Sequence, residues 1–127
     1  MTLSRRASRR TAFFLLYQWD VTGQPLASLY EGEVDEFARD TAEAVAARVE
    51  ELDRQITAAS EGWTADRLGA VERNILRLAT YELDEGSVPL EVVIDEAVTL
   101  AKRYATEEAG GLVNGILGRI AREKEVA

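Results

Sequence analysis

Arg5, Arg6, Arg9 and Arg10 stand within the first ten residues, with no acidic residue among them. The other 117 residues carry 11 basic against 23 acidic side chains, a balance of −12, so this basic stretch is set against an acidic body. Guanidinium groups at such density suit phosphate, because each presents a planar fork of donors that phosphate oxygens accept in pairs. A nucleic-acid footprint, on this reading, belongs at this end of the chain.

The segment that carries the arginines predicts a helix from Ser4, an N-cap residue type, to about Val21, ahead of the Gly23-Gln24-Pro25 turn. Cations in a first helical turn face the positive end of the helix dipole and typically cost about 0.3–1 kcal/mol each. A phosphate reverses that sign, since free backbone N–H groups and arginine forks together make an anion site. At helical spacing Arg6, Arg10, Phe13 or Phe14 and Tyr17 share one side, while Arg5, Arg9 and Leu16 share another. Basic groups followed by aromatics suit single-stranded RNA, whose phosphates need charge and whose splayed bases need flat surfaces. The candidate RNA-binding residues are therefore Arg5, Arg6, Arg9, Arg10, Phe14 and Tyr17. Arginine clusters alone are a signal of low specificity, and the residues by themselves better fit a solvated, charged end on a core helix, with Phe13, Leu16 and Trp19 simply buried.

A targeting leader does not fit. Ser8-Arg9-Arg10-Thr11 precedes an apolar run, but that run, Ala12 to Tyr17, stops after six residues, short of the roughly 7–15 that a leader's apolar region needs. No apolar stretch approaches the roughly 18 residues of a membrane span, so the expectation is a soluble, cytoplasmic protein.

The sequence has no cysteine and no histidine. Disulfides, thiolate metal sites and thiol nucleophiles are excluded, and the commonest general base and metal ligand is missing. Carboxylates remain in Asp95-Glu96 and Glu107-Glu108, but adjacent residues on a helix point in different directions. The expectation is a protein that is not an enzyme and that needs neither cofactor nor metal.

The elements that position the basic end read as helices throughout. Apolar residues recur at a spacing of three or four from Val34 through Phe37, Ala38, Thr41, Val45, Val49 and Leu52 to Ile56, marking one long amphipathic helix or two in close succession. After Gly62, Thr64 offers a cap for a helix striped by Leu68, Val71, Ile75, Leu78 and Ala79. Beyond Val88-Pro89 a further helix is marked by Val93, Ala97, Leu100, Ala101 and Tyr104. A last helix, capped by Thr106, is marked by Ala109, Leu112, Val113, Ile116, Leu117 and Ile120. Short loops between such helices predict a compact all-α bundle, and 127 residues make one domain. The last helix holds Gly110, Gly111, Gly115 and Gly118, each costing about 1 kcal/mol against alanine in a helix interior. With Asn114 they predict a side-chain-poor strip that another backbone can approach closely.

Several separated motifs, in order, resemble the bacterial NusB transcription antitermination factors along the whole chain. They are Arg5-Arg6 and Arg9 leading to Leu16-Tyr17-Gln18-Trp19-Asp20, then Leu68, Val71-Glu72-Arg73, Ile75-Leu76-Arg77-Leu78-Ala79 and Tyr81-Glu82-Leu83. Val88-Pro89, Val93-Ile94-Asp95-Glu96-Ala97, Leu100-Ala101-Lys102 and Val113-Asn114-Gly115-Ile116-Leu117 complete the set. The resemblance implies about six to seven helices in two helical subdomains, residues 1–127 forming a single RNA-binding domain without catalysis. It also implies binding to the boxA element of ribosomal RNA leader transcripts together with NusE, a small-subunit ribosomal protein, in an RNA polymerase assembly with NusA and NusG. By position, Arg5, Arg6, Arg9 and Tyr17 look like RNA contacts, and Glu72 and Glu108 like part of the partner surface. This chain departs from the family in having Leu112 where an aromatic often precedes Val-Asn-Gly, and Gly111 where some relatives are basic. Phe14 stands where some relatives are polar, so it is expected to stack on a base or to mediate a homodimer. A related domain occurs fused to RNA methyltransferases; with no cofactor-binding segment in these residues, the free factor is expected. An acidic helical adaptor that binds proteins but no RNA is the alternative.

Overall fold

The computed structural model describes residues 4–126, and its helices are α1 (Arg5–Thr22), α2 (Glu36–Ala47), α3 (Val49–Ala59), α4 (Ala70–Glu85), α5 (Leu90–Tyr104) and α6 (Glu107–Val126). Short 3-10 turns lie at Leu26–Leu29 and Ala65–Arg67, and no strand occurs among the described residues. The architecture is the all-α bundle that the periodicity predicts. Among the described residues no helix is long and apolar enough to cross a membrane.

The helix ends follow from local chemistry. Ser4 Oγ accepts from the Ala7 N–H at 3.1 Å and starts α1, while Gly23, at φ 72°, ends it in the left-handed conformation. The long amphipathic segment resolves into two helices that break at Arg48, with Asp35 capping the first through the Ala38 N–H at 3.0 Å. Thr64 does not cap α4. It precedes the 3-10 turn, and α4 starts only after Gly69. Thr106 does cap α6, accepting from the Ala109 N–H at 3.0 Å.

Helix α4 lies at the centre and packs against each of the other five. Its residues 74–80 are buried without interruption, although Asn74, Arg77 and Thr80 are polar. On one side α1 and α2 lie against it, and on the other α5 and α6 form an antiparallel hairpin with α3 beside α6. The charges of α4 are met from neighbouring helices. Asp20 of α1 accepts from Arg73 Nε at 2.8 Å and Asn74 Nδ2 at 2.8 Å, and Arg77 lies 3.3 Å away. The same Arg77 donates both Nε and a terminal nitrogen to Asp53 of α3, at 2.8 and 2.7 Å. Asp84 gathers Arg48, Gln55 and Lys124, so the end of α4 is tied to α3 and α6 as well.

The α6 glycines do not line a backbone contact within the described residues, contrary to the close approach that the sequence predicts. A Cβ at Gly111 would meet nothing within 4 Å; at Gly115 and Gly118 it would meet only the Arg119 and Arg122 guanidinium groups, and Gly110 is covered by the Lys102 side chain. Replacing Gly111 by alanine should therefore gain helix propensity without a clash. We expect about 1 kcal/mol of added stability in urea titration, and a loss would show that the open position is needed within the fold.

Burial works against the Asp20 charge, but the Asn74 and Arg73 hydrogen bonds and the Arg77 charge outweigh it and hold its pKa below the ordinary carboxylate value. A depressed carboxylate stabilises the fold above its unfolded pKa and loses that contribution as pH falls through the folded one. Asp20→Asn should cost about 2–3 kcal/mol at neutral pH and flatten the loss of stability below about pH 4. Equal acid limbs for variant and parent would remove Asp20 from that role.

Candidate nucleic-acid interface

The first two turns of α1 emerge where α2, the end of α4 and the start of α5 meet. Each arginine there has a different environment. The Arg5 guanidinium lies 3.8 Å above the centre of the Phe37 ring of α2, a cation–π contact at the surface. Arg6 extends into solvent, 76 % of its side chain exposed, and its head meets Glu96 of α5 at 2.9–3.0 Å. Arg10 is half-buried.

Arg9 is buried instead. Its Nε and one terminal nitrogen donate to the two oxygens of Glu82 at 2.7 and 2.9 Å, a two-pronged pair between side chains that are 9 and 11 % exposed. Burial opposes the Arg9 charge, yet the hydrogen bonds and charge of Glu82 outweigh it and raise its pKa above that of an ordinary arginine. The cause is visible in the α1 stripe. Arg9 shares the core-facing side with Ala12, Phe13 and Leu16, all buried.

Farther along α1 the aromatics form a second surface. Phe14 and Tyr17 are 39 and 36 % exposed, and both pack near the buried Phe13 at ring separations of 5.5 and 6.4 Å. Tyr104 at the end of α5 meets Phe14 edge-on at 5.2 Å, with the Arg103 guanidinium 5.4 Å from the Tyr104 ring. Glu108 is exposed in the first turn of α6, shortly after Tyr104.

Glu72 stands apart from the arginines. It lies ten residues before Glu82, about 15 Å along the axis, in the first turn of α4 and next to Asp20 rather than Arg9. Its carboxylate folds back over Gly69, where a Cβ would come within 2.7 Å of Oε2.

The structure thus brings Arg5 and Arg6 to one rim and Phe14 and Tyr17 to one patch, while Arg9 serves as an internal strut. Sequence reasoning missed Glu82, Glu96, Phe37 and Tyr104. Glu82 had a signal: it continues the buried stripe of Ile75, Leu78 and Ala79, where an unpaired carboxylate is not tolerated. Exchanging Glu82 for alanine should cost about 3–5 kcal/mol, because it strands the buried Arg9. Adding Arg9→Met should recover much of that loss in a double-mutant cycle, and strictly additive costs would mean that the pair is not coupled.

The NusB family matches residues 6–122. A transcription antitermination protein NusB of Rubrobacter xylanophilus is 46 % identical over 122 residues, covering 91 % of this chain and 88 % of the relative. Among solved structures, T. maritima NusB superposes with a TM-score of 0.85 at 40 % identity, covering 97 % of this chain and 94 % of that one. A crystal structure of the antitermination factors NusB and NusE in complex with dsRNA superposes with a TM-score of 0.84 at 35 % identity, covering 94 % of this chain and 96 % of its counterpart.

Proposed function

The chain belongs to the NusB family, and from that premise we propose that it is an RNA-binding antitermination factor whose α1 rim takes the boxA segment of ribosomal RNA leader transcripts together with NusE. The observation that carries this reading is the exposed rim of Arg5 and Arg6 on a chain that superposes on NusB in a complex with NusE and dsRNA. NusA, NusG and RNA polymerase complete the assembly we propose. Phe14, Tyr17 and the half-buried Arg10 extend the RNA surface along α1, and Glu72 and Glu108 offer carboxylates to the basic partner. The exposed Phe14 is also where a homodimer of the free protein would form.

Magnitudes separate the arginines. A solvent-exposed ion pair such as Arg6–Glu96 is worth about 0–1 kcal/mol, so a phosphate displaces Glu96 at little cost. Breaking a buried pair such as Arg9–Glu82 costs about 3–5 kcal/mol, more than one phosphate contact returns. Arg9 therefore acts by holding α1 against α4, and Arg5, Arg6 and Arg10 carry the phosphates.

The acidic body limits affinity, since RNA at the rim stays within the Debye length of about 8–10 Å of carboxylates such as Glu85 and Glu96. A basic partner bound alongside cancels that repulsion, so NusE tightens RNA binding and, by linkage, RNA tightens NusE binding by the same factor.

The test replaces Arg5, Arg6 and Arg10 with alanine and leaves Arg9 in place. Three phosphate contacts on a single strand give a log K against log salt slope of roughly −2, and each substitution should make it shallower by about 0.7. Helicity and NusE binding should persist. A triple variant that binds boxA RNA as the parent does, with the same slope, would leave the acidic protein-binding adaptor as the surviving reading.

A further inference from the structure

Behind the arginine rim lies a groove of about 740 Å3 bounded by α1, α2, the end of α4 and the start of α5. Three arginines and three glutamates line it: Arg5, Arg6 and Arg9, with Glu82, Glu85 and Glu96. Two ion pairs, Arg9–Glu82 and Arg6–Glu96, account for four of these charges. Among the described residues the other two, Arg5 and Glu85, have no ion-pair partner within the groove. Each comes with a ring. Arg5 lies on Phe37, and Glu85 lies close enough to the Tyr81 phenol to help raise its pKa, second to burial.

The groove also holds apolar surface that the bundle has not covered, because Phe37 and Val92 are 37 and 43 % exposed and both line it. Its volume falls in the range of about 300–1,000 Å3 typical of small-ligand sites. A ligand matching these features carries an anion at one end, a flat apolar body, and hydrogen-bond donors at the other end. That is the outline of a nucleotide. Glu85 then narrows the base, since a carboxylate only accepts and has two oxygens side by side. Guanine presents two adjacent donors on its Watson–Crick edge, N1–H and the N2 amino group. Adenine and cytosine place a ring acceptor beside their single amino group, and uracil places carbonyls on both sides of its one N–H.

We propose that this groove takes one unstacked guanine nucleotide of the bound single strand, its base against Tyr81 and Val92, its Watson–Crick edge on Glu85 and its phosphate on Arg5 where that guanidinium lies over Phe37. The proposal rests on the RNA reading above and adds to it a position at which the protein selects a base. Phosphate contacts on the rim set affinity without regard to sequence, and the groove supplies the discrimination.

The experiment compares a labelled oligouridine strand with the same strand carrying one guanosine or one inosine, by fluorescence anisotropy against the full chain. The guanosine strand should bind roughly tenfold tighter than oligouridine, with inosine in between because it lacks the N2 donor. Glu85→Gln should bring the guanosine-to-oligouridine ratio close to one. Removing a negative charge raises affinity for any RNA, so a falling ratio is not general loss of binding. Val92→Trp, which fills the groove from an exposed position, should abolish the ratio as well. Equal binding of all three strands, with retained dependence on Arg6, overturns the groove proposal and leaves the RNA reading standing. Binding of none of them overturns both. A Val92→Trp variant that keeps the guanosine preference but loses NusE makes the groove a protein site and also overturns the proposal.

Discussion

A helix buried on nearly all sides must find a partner for every charge it takes into the interior, and α4 is such a helix. It packs against the other five while holding Arg73, Arg77, Glu82 and Asp84. Leaving any of these desolvated and alone would cost several kcal/mol, so each draws an opposite charge from another helix. Asp20 and Arg9 come from the two ends of α1, Asp53 from α3, and Lys124 from α6. Apolar stripes alone permit neighbouring helices to slide by a turn, whereas these pairs with fixed partners do not. The register of α1 on α4, and with it the position of the arginine rim, follows from satisfying α4.

That constraint divides one arginine cluster into two kinds of residue. Arg9 sits on the core-facing stripe and is consumed by Glu82, so its charge is fixed in the interior. Arg6, only one turn earlier, falls on the rim, where its Glu96 contact is solvent-screened and exchangeable. Glu96 keeps the Arg6 head in place over α5 until a phosphate competes for it, which reduces the side-chain freedom lost on binding. Arg5 is held in the same way by the Phe37 ring. The rim is therefore held in place by contacts weak enough to give way to a phosphate, as the proposed RNA role requires.

Much of this was legible in the sequence because helix periodicity is a local signal. Ser4, Gly23 and Thr106 mark their helix ends in the structure, and most of the apolar stripe positions of α4, α5 and α6 are buried, Leu112 of α6 being the exception that stays exposed. What escaped was non-local. Nothing near Arg9 announces that a glutamate 73 residues away will accept both its donors, and Arg6 and Glu96 are 90 apart. Thr64 was misleading because a residue type suited to a helix cap also suits the start of the short 3-10 turn at Ala65–Arg67, which it precedes. The α6 glycines show the opposite difficulty. Their cost in helix propensity was evident, yet Gly111 faces open space rather than a backbone, so the fold itself gives no reason for that residue.

Taken with the aromatic patch, the open face of α6 gives the molecule a surface whose chemistry differs from that of the rim. Phe14, Tyr17 and Leu112 are exposed apolar side chains, and Tyr104 with Arg103 carries the patch from α1 towards the start of α6. On α6 the exposed Gly111 removes a side chain that would hold a partner's backbone away. The rim and groove, by contrast, combine guanidinium groups, carboxylates and rings, a set suited to discriminating a charged ligand rather than to burying a large area. Because α1 contributes to both surfaces, its tilt on α4 governs them together, and the Arg9–Glu82 and Asp20–Arg73 pairs that set that tilt lie at its two ends. RNA running from the rim onto the patch and a protein on the adjoining face of α6 would thus lie side by side on one rigid bundle. Their coupling then needs no conformational change, only the removal of repulsion between RNA and an acidic body by whichever basic partner arrives first.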